Sequence, residues 1–432
     1  MSGLTVLVIG AGARQHALCW RLAGEAGVGR VMVAPGNPLI GGGVEVRPDV
    51  DGDDVDAIVA LAVAESVDLV VIGPEGPLVA GIADKLAAAG IACFGPSAAA
   101  ARLEASKSFA RDVCRAAGVP MARGRAFTDT RSAIEYAAEL DLPVVVKADG
   151  LAAGKGVTIC ATLGEAERAI RESLETGRFG EAGLTVVVEQ FLAGREASVF
   201  ALCDGTAYAL LPAARDHKRA FDQDAGPNTG GMGAYSPVAE IDDAALASIG
   251  EAVIAPVLRE MAQRGAPFRG VLFAGLMLTV EGPRVLEFNI RFGDPETQAI
   301  LPRVDAPLAQ LMLECATDRL SVTGVLPVKP FATVALVLAA EGYPEATRHG
   351  DVIGGIGAAR EMGAFVLGAG VARSDEGAVV TAGGRVLSVV GTGEDVASAA
   401  DLAYAAAQQI EYPGKWSRRD IGRSLEAMAV AS

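Results

Sequence analysis

Residues 285–292, with the sequence VLEFNIRF, carry a carboxylate, an amide and a guanidinium at alternate positions. Because successive strand side chains point to opposite faces, Glu287, Asn289 and Arg291 are predicted to share one face, and the apolar side chains at 286, 288 and 290 the other. A carboxylate and an amide oxygen suit Mg²⁺, and a guanidinium can bind phosphate or carboxylate bidentately. The pattern predicts a metal and anion site, with a solvated outer strand face as the alternative. The polar turn GDPE at 293–296 favours the site.

Two glycine-rich segments could bind phosphate through backbone N–H groups. Residues 10–15 (GAGARQ) open a predicted helix, but Gln15 stands where the dinucleotide-binding pattern needs its third glycine. This segment is either an anion site at a helix N-terminus, aided by Arg14, or a plain strand–helix turn. Residues 150–156 (GLAAGKG) fail the Walker A pattern, since the spacing is one residue short and Gly156 replaces Ser or Thr. With Lys155, this loop can still fold over phosphates.

Two charged residues end apolar runs. Lys147 follows the valines at 144–146, and its amine either extends to solvent or binds a ligand; the residues alone leave both open. Glu189 follows the valines at 186–188, and the connector FLAGRE at 191–196 could pack an adenine, with a carboxylate on ribose hydroxyls. These runs therefore offer a nucleotide site.

A charged cluster, DHKR at 216–219, precedes the glycine-rich string GPNTGGMGA at 226–234. This composition predicts a mobile loop with many exposed N–H groups, and a functional loop is favoured over a flexible linker. The sequence shows neither a Gly-x-Ser-x-Gly elbow nor a credible Cys/His pair, so hydrolase-type nucleophilic catalysis has little support.

Composition argues against several partner classes. The 432 residues have a formal net charge of −16 and no long basic run, which argues against nucleic acid and anionic membranes as partners. The apolar runs are too short or too charged to cross a bilayer, which needs about 20 residues, and we expect no signal peptide. Six scattered cysteines and three histidines predict reduced thiols in a cytoplasmic protein rather than a zinc site.

The elements that position these residues follow from the apolar patterning. Strand and helix patterns alternate through the first hundred residues, which predicts a doubly wound α/β domain with a parallel sheet and ligands beyond the carboxyl ends of its strands. A helical stretch at 97–140 precedes short β-rich runs, which predict a mixed α+β unit with mainly antiparallel sheets. We expect three domains, at residues 1–102, 103–328 and 329–432, the last a small α+β domain.

Several strings together resemble those of the ATP-grasp ligase family. They are GPNTGGMGAYSP at 226–237, KADGLAAGKGV at 147–157, EFNIRFGDPE at 287–296, GAGARQHA at 10–17, VAPGN at 33–37, GPEGPLV at 73–79, EASK at 104–107, EQFLAGREAS at 189–198, DHKR at 216–219 and YPGKWSRRDIG at 412–422. The resemblance covers essentially the whole chain. It implies a central two-part ATP-grasp domain and an ATP-dependent ligation of glycine to 5-phospho-β-D-ribosylamine. Through a glycyl phosphate, this reaction gives glycinamide ribonucleotide, ADP and phosphate in de novo purine biosynthesis.

The resemblance also implies which residues hold ATP and metal. The two lysines at the ATP phosphates would be Lys107 and Lys147. The loop closing over them would contain Gly154, Lys155 and Gly156. The residues flanking adenine and ribose would be Glu189, Phe191, Leu192 and Glu196. The ligands of Mg²⁺ or Mn²⁺ would be Glu287 and Asn289.

The other two substrates have implied sites as well. The catalytic residues would be Asp216, Lys218 and Arg291. The glycine and acyl-phosphate region would further contain Asn228, Gly230, Gly231, Met232 and Asp294. The phosphoribosylamine would be held by turns of the first domain with Gly12, Arg14, Asn37 and Glu75. One departure is Gln15, where the family usually has Glu.

Three other functions remain to be weighed. Another ATP-grasp ligase with a different acceptor amine is the nearest, and a nucleotide-binding regulator without catalysis is the next. A nicotinamide dehydrogenase has the least support, because its fingerprint fails. The expected partners are small molecules only, and the expected state is a monomer or weak homodimer.

Overall fold

The computed structural model describes residues 3–152 and 156–423. Its first part is a parallel five-stranded sheet in the order β3-β2-β1-β4-β5. The strands are β1 (Leu4–Gly10), β2 (Val28–Pro35), β3 (Glu45–Val46), β4 (Leu69–Ile72) and β5 (Ala92–Phe94). The helices are α1 (Ala13–Ala23), α2 (Val55–Ala64), α3 (Glu75–Val79) and α4 (Ile82–Ala88). β1 and β4 are almost wholly apolar because both faces of the sheet are buried.

A small antiparallel unit follows two linking helices, α5 (Ala98–Ala105) and α6 (Lys107–Ala117). Its sheet has the order β6-β9-β7-β8. The elements are β6 (Gly124–Phe127), α7 (Thr130–Ala138), β7 (Val144–Ala148), β8 (Val157–Cys160), α8 (Leu163–Leu174) and β9 (Val186–Gln190). The prediction of helix throughout 97–140 is wrong at β6, which pairs with β9. The helices α7 and α8 cover one face of this sheet and form a separate core with its strands.

The central sheet has the order β17-β16-β10-β11-β18, and its long strands are antiparallel. The strands are β10 (Arg195–Asp204), β11 (Tyr208–Leu210), β16 (Arg269–Thr279), β17 (Gly282–Asn289) and β18 (Gly324–Val325). The helices are α9 (Asp243–Ile249), α10 (Ala255–Gln263), α11 (Glu296–Ile300) and α12 (Leu308–Ala316), with a π-helical turn at Gly250–Ile254. One face of this sheet shares a core with the first sheet, so the two sheets pack as one body.

The last sheet has the order β12-β15-β19-β23-β20. Its strands are β12 (Arg215–Asp216), β15 (Gly233–Ser236), β19 (Ala332–Ala339), β20 (Phe365–Gly368) and β23 (Arg385–Gly393). Two hairpins, β13 (Arg219–Phe221) with β14 (Ala225–Asn228) and β21 (Val371–Arg373) with β22 (Val379–Thr381), and the helices α13 (Ile356–Glu361) and α14 (Val396–Gln409) complete the fold. Strands from both sides of the boundary proposed at 328/329 therefore share one sheet. Within the described residues, no helix has both the length and the apolar character needed to span a bilayer.

Candidate active site

One cleft of about 1260 Å³ lies where the sheets meet. Its lining includes Arg14 and Glu75, in the first turns of the helices that follow β1 and β4, the inner faces of β7 and β9, the end of β17, and residues of the last sheet. The turns of the parallel sheet lie at the carboxyl ends of its strands, where ligands of open α/β sheets bind. The predicted site residues that line it are Arg14, Glu75, Lys107, Lys147, Gly156, Glu189, Phe191, Leu192, Glu196, Asp216, Lys218, Asn228, Gly230, Glu287, Asn289, Arg291 and Asp294. Gly154 and Lys155 lie outside the described residues.

The part of the cleft beside the small antiparallel unit carries a buried chain of charges. Lys147 lies within β7, is 7% exposed, and pairs with Glu189 of β9 while donating to the carbonyl oxygen of Leu286 at 3.1 Å. Arg111 of α6 donates to the same Glu189 carboxylate at 2.8 Å. Both oxygens of Glu189 thus accept from cations. Lys147 lines the cleft and does not extend to solvent, and its binding of a ligand stays a prediction.

Lys107 begins α6 and approaches the loop that follows β7. Its Nζ donates to the carbonyl oxygen of Gly150 at 3.0 Å, and burial lowers its pKa. The Asp149 carboxylate accepts from the N–H of Ser108 at 2.5 Å and from the Ser106 hydroxyl at 2.9 Å. The helix N-terminus is thereby fixed against the loop, and Lys107 lines the cleft.

The metal-ligand pair predicted on β17 lies on the cleft, but the strand alternation differs from the prediction. The prediction that Leu286 shares a face with the core residues Phe288 and Ile290 is wrong. A β-bulge opposite Gly275 and Leu276 leaves Leu286 as an extra, unpaired residue of β17. Leu286 lines the cleft beside Glu287 and Asn289. The bulge keeps the carboxylate and the amide on the ligand side.

The electrostatics of Glu287 suit a cation ligand. Burial alone would raise its pKa, but Lys218, Lys147, Lys107 and Arg291 outweigh burial and lower it, so the carboxylate is ionised at neutral pH. Among the described residues, no group of three or more His, Cys, Asp or Glu could hold a metal. A divalent ion here would take oxygens from this carboxylate, from Asn289 and from the phosphates of a nucleotide, the ligand set that Mg²⁺ favours.

Three acidic residues surround Lys218. Its Nζ lies 2.8 Å from Glu196 and 3.5 Å from Glu287, and these carboxylates with Asp216 raise its pKa although burial opposes them. Burial raises the pKa of Asp216 to about 8. Burial also raises the pKa of Glu296, whose carboxylate accepts from the Ser198 hydroxyl at 3.1 Å. This corner holds one cation, Lys218, and two carboxyl groups, Asp216 and Glu296, whose pKa values burial raises.

Arg291 lies between two carboxylates. Its guanidinium contacts Glu75 at 3.2 Å and Glu104 at 3.2 Å, and Glu104 also accepts from the N–H of Ile290 at 2.8 Å. Burial opposes the charged form, but the two carboxylates outweigh it and raise the pKa of Arg291. These contacts fix the arginine across the interface between the first sheet and β17.

In the turn after β1, at residues 10–15, nearby side chains bond to groups that were predicted to bind an anion. Gln15 is 3% exposed, and its Oε1 accepts from the N–H of Gly12 at 3.1 Å, so one backbone donor of the predicted anion site is taken. Arg14 donates to the carbonyl oxygen of Phe292 at 2.8 Å, while its Nε has no protein partner. Asn37 is 4% exposed, and its side chain bonds to backbone atoms of Ala11, Gly368 and Leu39. Gly12 and Asn37 shape the turn from outside the cleft lining.

The glycine-rich segment predicted to be a mobile loop is largely β structure. β12 pairs with β15, and β13 pairs with β14, because the cluster DHKR and the string GPNTGG form the two sides of a hairpin. Asn228 and Gly230 line the cleft, whereas the Gly231 backbone lies behind it. Met232 is fully buried in a small core with Val337 and Ala339. The two ends of the segment are thus paired as strands, and its mobility stays a prediction.

Several charged cleft residues could not be assigned from the sequence, and four of them contact predicted site residues or lie beside them: Glu104, Arg111, Glu296 and Arg385. Glu104 and Glu296 lie within the strings EASK and GDPE, but the sequence did not indicate that these two carboxylates line the cleft. Arg385 follows two glycines and begins a β run, a pattern that could have indicated a functional residue. Arg111 lies in an ordinary amphipathic helix, and nothing in its sequence context indicates a function. Contacts with residues distant in sequence determine where these four side chains lie.

Comparison with known proteins identifies the family. Three family models match in order: the N domain of phosphoribosylglycinamide synthetase at residues 4–104, its ATP-grasp (A) domain at 105–297 and its C domain at 333–424. A protein of Caulobacter vibrioides named phosphoribosylamine--glycine ligase is 46% identical over 99% of this chain and 100% of its own length. The trifunctional purine biosynthetic protein adenosine-3 of Gallus gallus is 45% identical over 96% of this chain and 42% of its own length.

Solved structures agree with these matches. The crystal structure of phosphoribosylamine--glycine ligase from Thermotoga maritima has a TM-score of 0.82 and 32% identity, and covers 97% of this chain and 100% of that one. A biotin carboxylase from Campylobacter jejuni, with a TM-score of 0.69 and 17% identity over 95% of this chain and 92% of that one, shares the fold. The chain belongs to the phosphoribosylglycinamide synthetase family.

Proposed function

We propose that the chain is an ATP-dependent ligase that joins glycine to 5-phospho-β-D-ribosylamine in de novo purine biosynthesis. The products are glycinamide ribonucleotide, ADP and phosphate. The observation that carries the proposal is that the three matched family regions, which together span most of the chain, line one cleft. The relatives' names supply the substrates, and the cleft supplies cations, a carboxylate–amide pair and glycine-rich turns.

The chemistry requires activation of a carboxylate. An oxygen of the glycine carboxylate attacks the γ-phosphorus of ATP, ADP leaves, and the resulting glycyl phosphate has phosphate as its leaving group. The sugar amine then attacks the carbonyl carbon, phosphate departs, and the nitrogen loses one proton. Catalysis of such transfers is mainly positioning and charge stabilisation, and one well-placed donor is worth about 3 kcal/mol by analogy with oxyanion holes.

Residues of the cleft divide this work. We assign Lys107 and Lys147 to the phosphates of ATP, because both line the cleft and Lys107 donates to the carbonyl oxygen of Gly150 in the loop after β7. Lys218 contacts the carboxylates of Glu196 and Glu287, and Arg291 contacts two others. We assign these two cations, with Asp216, to the glycyl phosphate. We assign Arg14, whose Nε has no protein partner, to the phosphoribosylamine.

We propose Mg²⁺ or Mn²⁺ as the cofactor, held by Glu287 and Asn289. The lowered pKa of Glu287 supports this assignment, since a cation ligand must be ionised. When bound, the metal would neutralise charge on the nucleotide phosphates. We further propose that the enzyme is a cytoplasmic monomer or weak homodimer with small-molecule substrates only; sedimentation velocity of the purified chain tests the oligomeric state.

The test is release of ADP that depends on all substrates together. Purified protein, ATP, Mg²⁺, glycine and phosphoribosylamine, formed in the assay from ribose 5-phosphate and ammonia, should give ADP, phosphate and glycinamide ribonucleotide detected by mass spectrometry. Omission of glycine or of the amine should abolish turnover. Turnover with a different amine and none with phosphoribosylamine would favour another ATP-grasp ligase, and ATP binding without turnover would favour a regulator.

A further inference from the structure

Arg385 reaches from the last sheet into the cleft. It begins β23, and its Nη1 donates to the carbonyl oxygens of Asp294 at 2.8 Å, of Gly231 at 3.3 Å and of Gly230. Its Nη2 pairs with the Asp294 carboxylate at 3.1 Å. One guanidinium thus joins two turns that are distant in sequence, and a guanidinium suits this task because its donors form a rigid fork.

The two glycines at 230 and 231 leave room for this guanidinium. A Cβ added to Gly230 would lie 3.0 Å from Cζ of Arg385. Gly231 has a φ of +106°, which L side chains rarely adopt, and an added Cβ would lie 2.5 Å from Cδ of Pro295. The pair of glycines therefore lets Arg385 and the proline ring pack directly on the backbone.

Asp294 presents its charge to the first turn of the parallel sheet. Its Oδ2 would lie 3.7 Å from a Cβ at Gly12, and its Oδ1 accepts from Nε2 of Gln298 at 2.8 Å. Burial raises its pKa, but Arg385 and Arg14 outweigh burial and lower it, so the carboxylate is ionised. An ionised carboxylate here can accept hydrogen bonds from an amine or from sugar hydroxyls.

We infer that Arg385 is a positioning residue for the amine substrate, which it serves by fixing the Asp294 carboxylate and the 230–231 turn. This inference rests on the proposed function and gives the last sheet a part in recognising the amino sugar. The guanidinium is 22% exposed and Asp294 is 17% exposed, so both remain at the cleft surface. The last sheet is thereby coupled to a carboxylate that follows β17 of the central sheet.

Arg385→Met should raise the KM for phosphoribosylamine at least about tenfold, because a misplaced carboxylate loses its oriented hydrogen bonds. The KM for ATP should change less than about twofold, since Arg385 has no contact with Lys107, Lys147 or Glu189. Arg385→Lys keeps the charge without the fork and should fall between Arg385→Met and the wild type. Arg373→Met, which removes an exposed guanidinium bonded to the carbonyl oxygen of Gly377, is the matched control and should leave every KM unchanged.

Two further variants separate positioning from general damage. Gly230→Ala leaves all charges in place but displaces the guanidinium, so it should raise the same KM. The double variant Asp294→Asn/Arg385→Met should be no worse in kcat/KM for the amine than the poorer single variant, because the two residues act as one unit. If Arg385→Met does not fold, Arg385→Lys and Gly230→Ala carry the test.

Three outcomes would overturn the inference. They are an unchanged KM for the amine, equal increases in the KM for amine and for ATP, and additive losses in the double variant. An inactive wild-type protein would instead overturn the proposed function, so the two failures are distinguishable.

Discussion

Arg418 is almost completely buried, and its removal should destabilise the C-terminal part of the chain. Its side chain is 1% exposed. It donates two hydrogen bonds to the Asp420 carboxylate, at 2.8 and 2.7 Å, one to Asp224 at 2.8 Å, and one to the carbonyl oxygen of Arg219 at 3.0 Å. The β13–β14 hairpin, whose turn residues Gln223 and Asp224 have positive φ, is thus held by this segment.

The magnitude follows from the burial of the partners. Asp420 is 11% exposed, and without Arg418 it keeps the N–H of Gln223, at 2.8 Å, as a donor. Removing one member of a buried ion pair costs about 3–5 kcal/mol, because the other charge stays buried and uncompensated. Asp224 is 68% exposed, and a pair with such a group is worth about 1 kcal/mol at most. We expect Arg418→Met to cost about 3–5 kcal/mol and Asp224→Asn at most about 1.

The assay uses a tryptophan of the same segment. Trp416 donates to the carbonyl oxygen of Ala340 at 2.9 Å, and Trp20→Phe leaves it as the single fluorescent reporter in urea denaturation. Arg419→Met, next in sequence with a 75% exposed side chain, is the control and should cost at most about 1 kcal/mol. The reasoning fails if Arg418→Met and Arg419→Met have equal midpoints, or if Asp224→Asn costs as much as Arg418→Met.

The remaining predictions concern the cleft. Glu287→Gln should lower kcat about 10²–10³-fold and weaken Mn²⁺ binding, measured by electron paramagnetic resonance, with an unchanged circular dichroism spectrum; retained activity would contradict the metal assignment. Burial raises the folded-state pKa of Asp216 to about 8, so its contribution to stability is full below its unfolded pKa of about 3.9 and is lost as the pH rises through 8. Asp216→Asn should therefore flatten the fall in unfolding free energy between pH 5 and 8, and an unchanged slope would argue against a protonated Asp216. Burial lowers the pKa of His217 to about 4, so its imidazole signals in NMR spectra should titrate below pH 5, whereas a midpoint near 6.5 would contradict its burial.

The strands of the first sheet and the ligand face of β17 could be predicted because local patterns determine them. Continuous apolar runs ended by glycine turns indicate buried parallel strands, and residues such as Gly12 and Glu75 lie at their carboxyl ends. Glu287 and Asn289 are two residues apart, so they share a face in any strand. The β-bulge at Leu286 could not be predicted, because it depends on the pairing of β17 with β16.

Long-range contacts explain what sequence reasoning could not supply. The string of four glycines reads as a flexible loop, but its ends lie in the paired strands β14 and β15, and β15 pairs with β19 from a hundred residues away in the chain. Between these strands the N–H groups of Gly230 and Gly231 donate to the hydroxyls of Tyr343 and Thr229. Gln15 reads as a missing carboxylate, yet it fills the space between Gly10 and Gly73, where an added Cβ on either glycine would collide with it. Such roles depend on which backbones approach each other, and this information is tertiary.

The acidity of the chain and the cations of its cleft are parts of one arrangement. A net charge of −16 argues against polyanionic partners, whereas the proposed substrates are themselves anions. Several cleft cations have carboxylate partners: Lys147 with Glu189, Lys218 with Glu196 and Glu287, and Arg291 with Glu75 and Glu104. A buried cation without a partner would be costly, so these carboxylates stabilise the cleft before any anion binds. The acidic residues near the ligands are therefore required to keep these lysine and arginine side chains buried there.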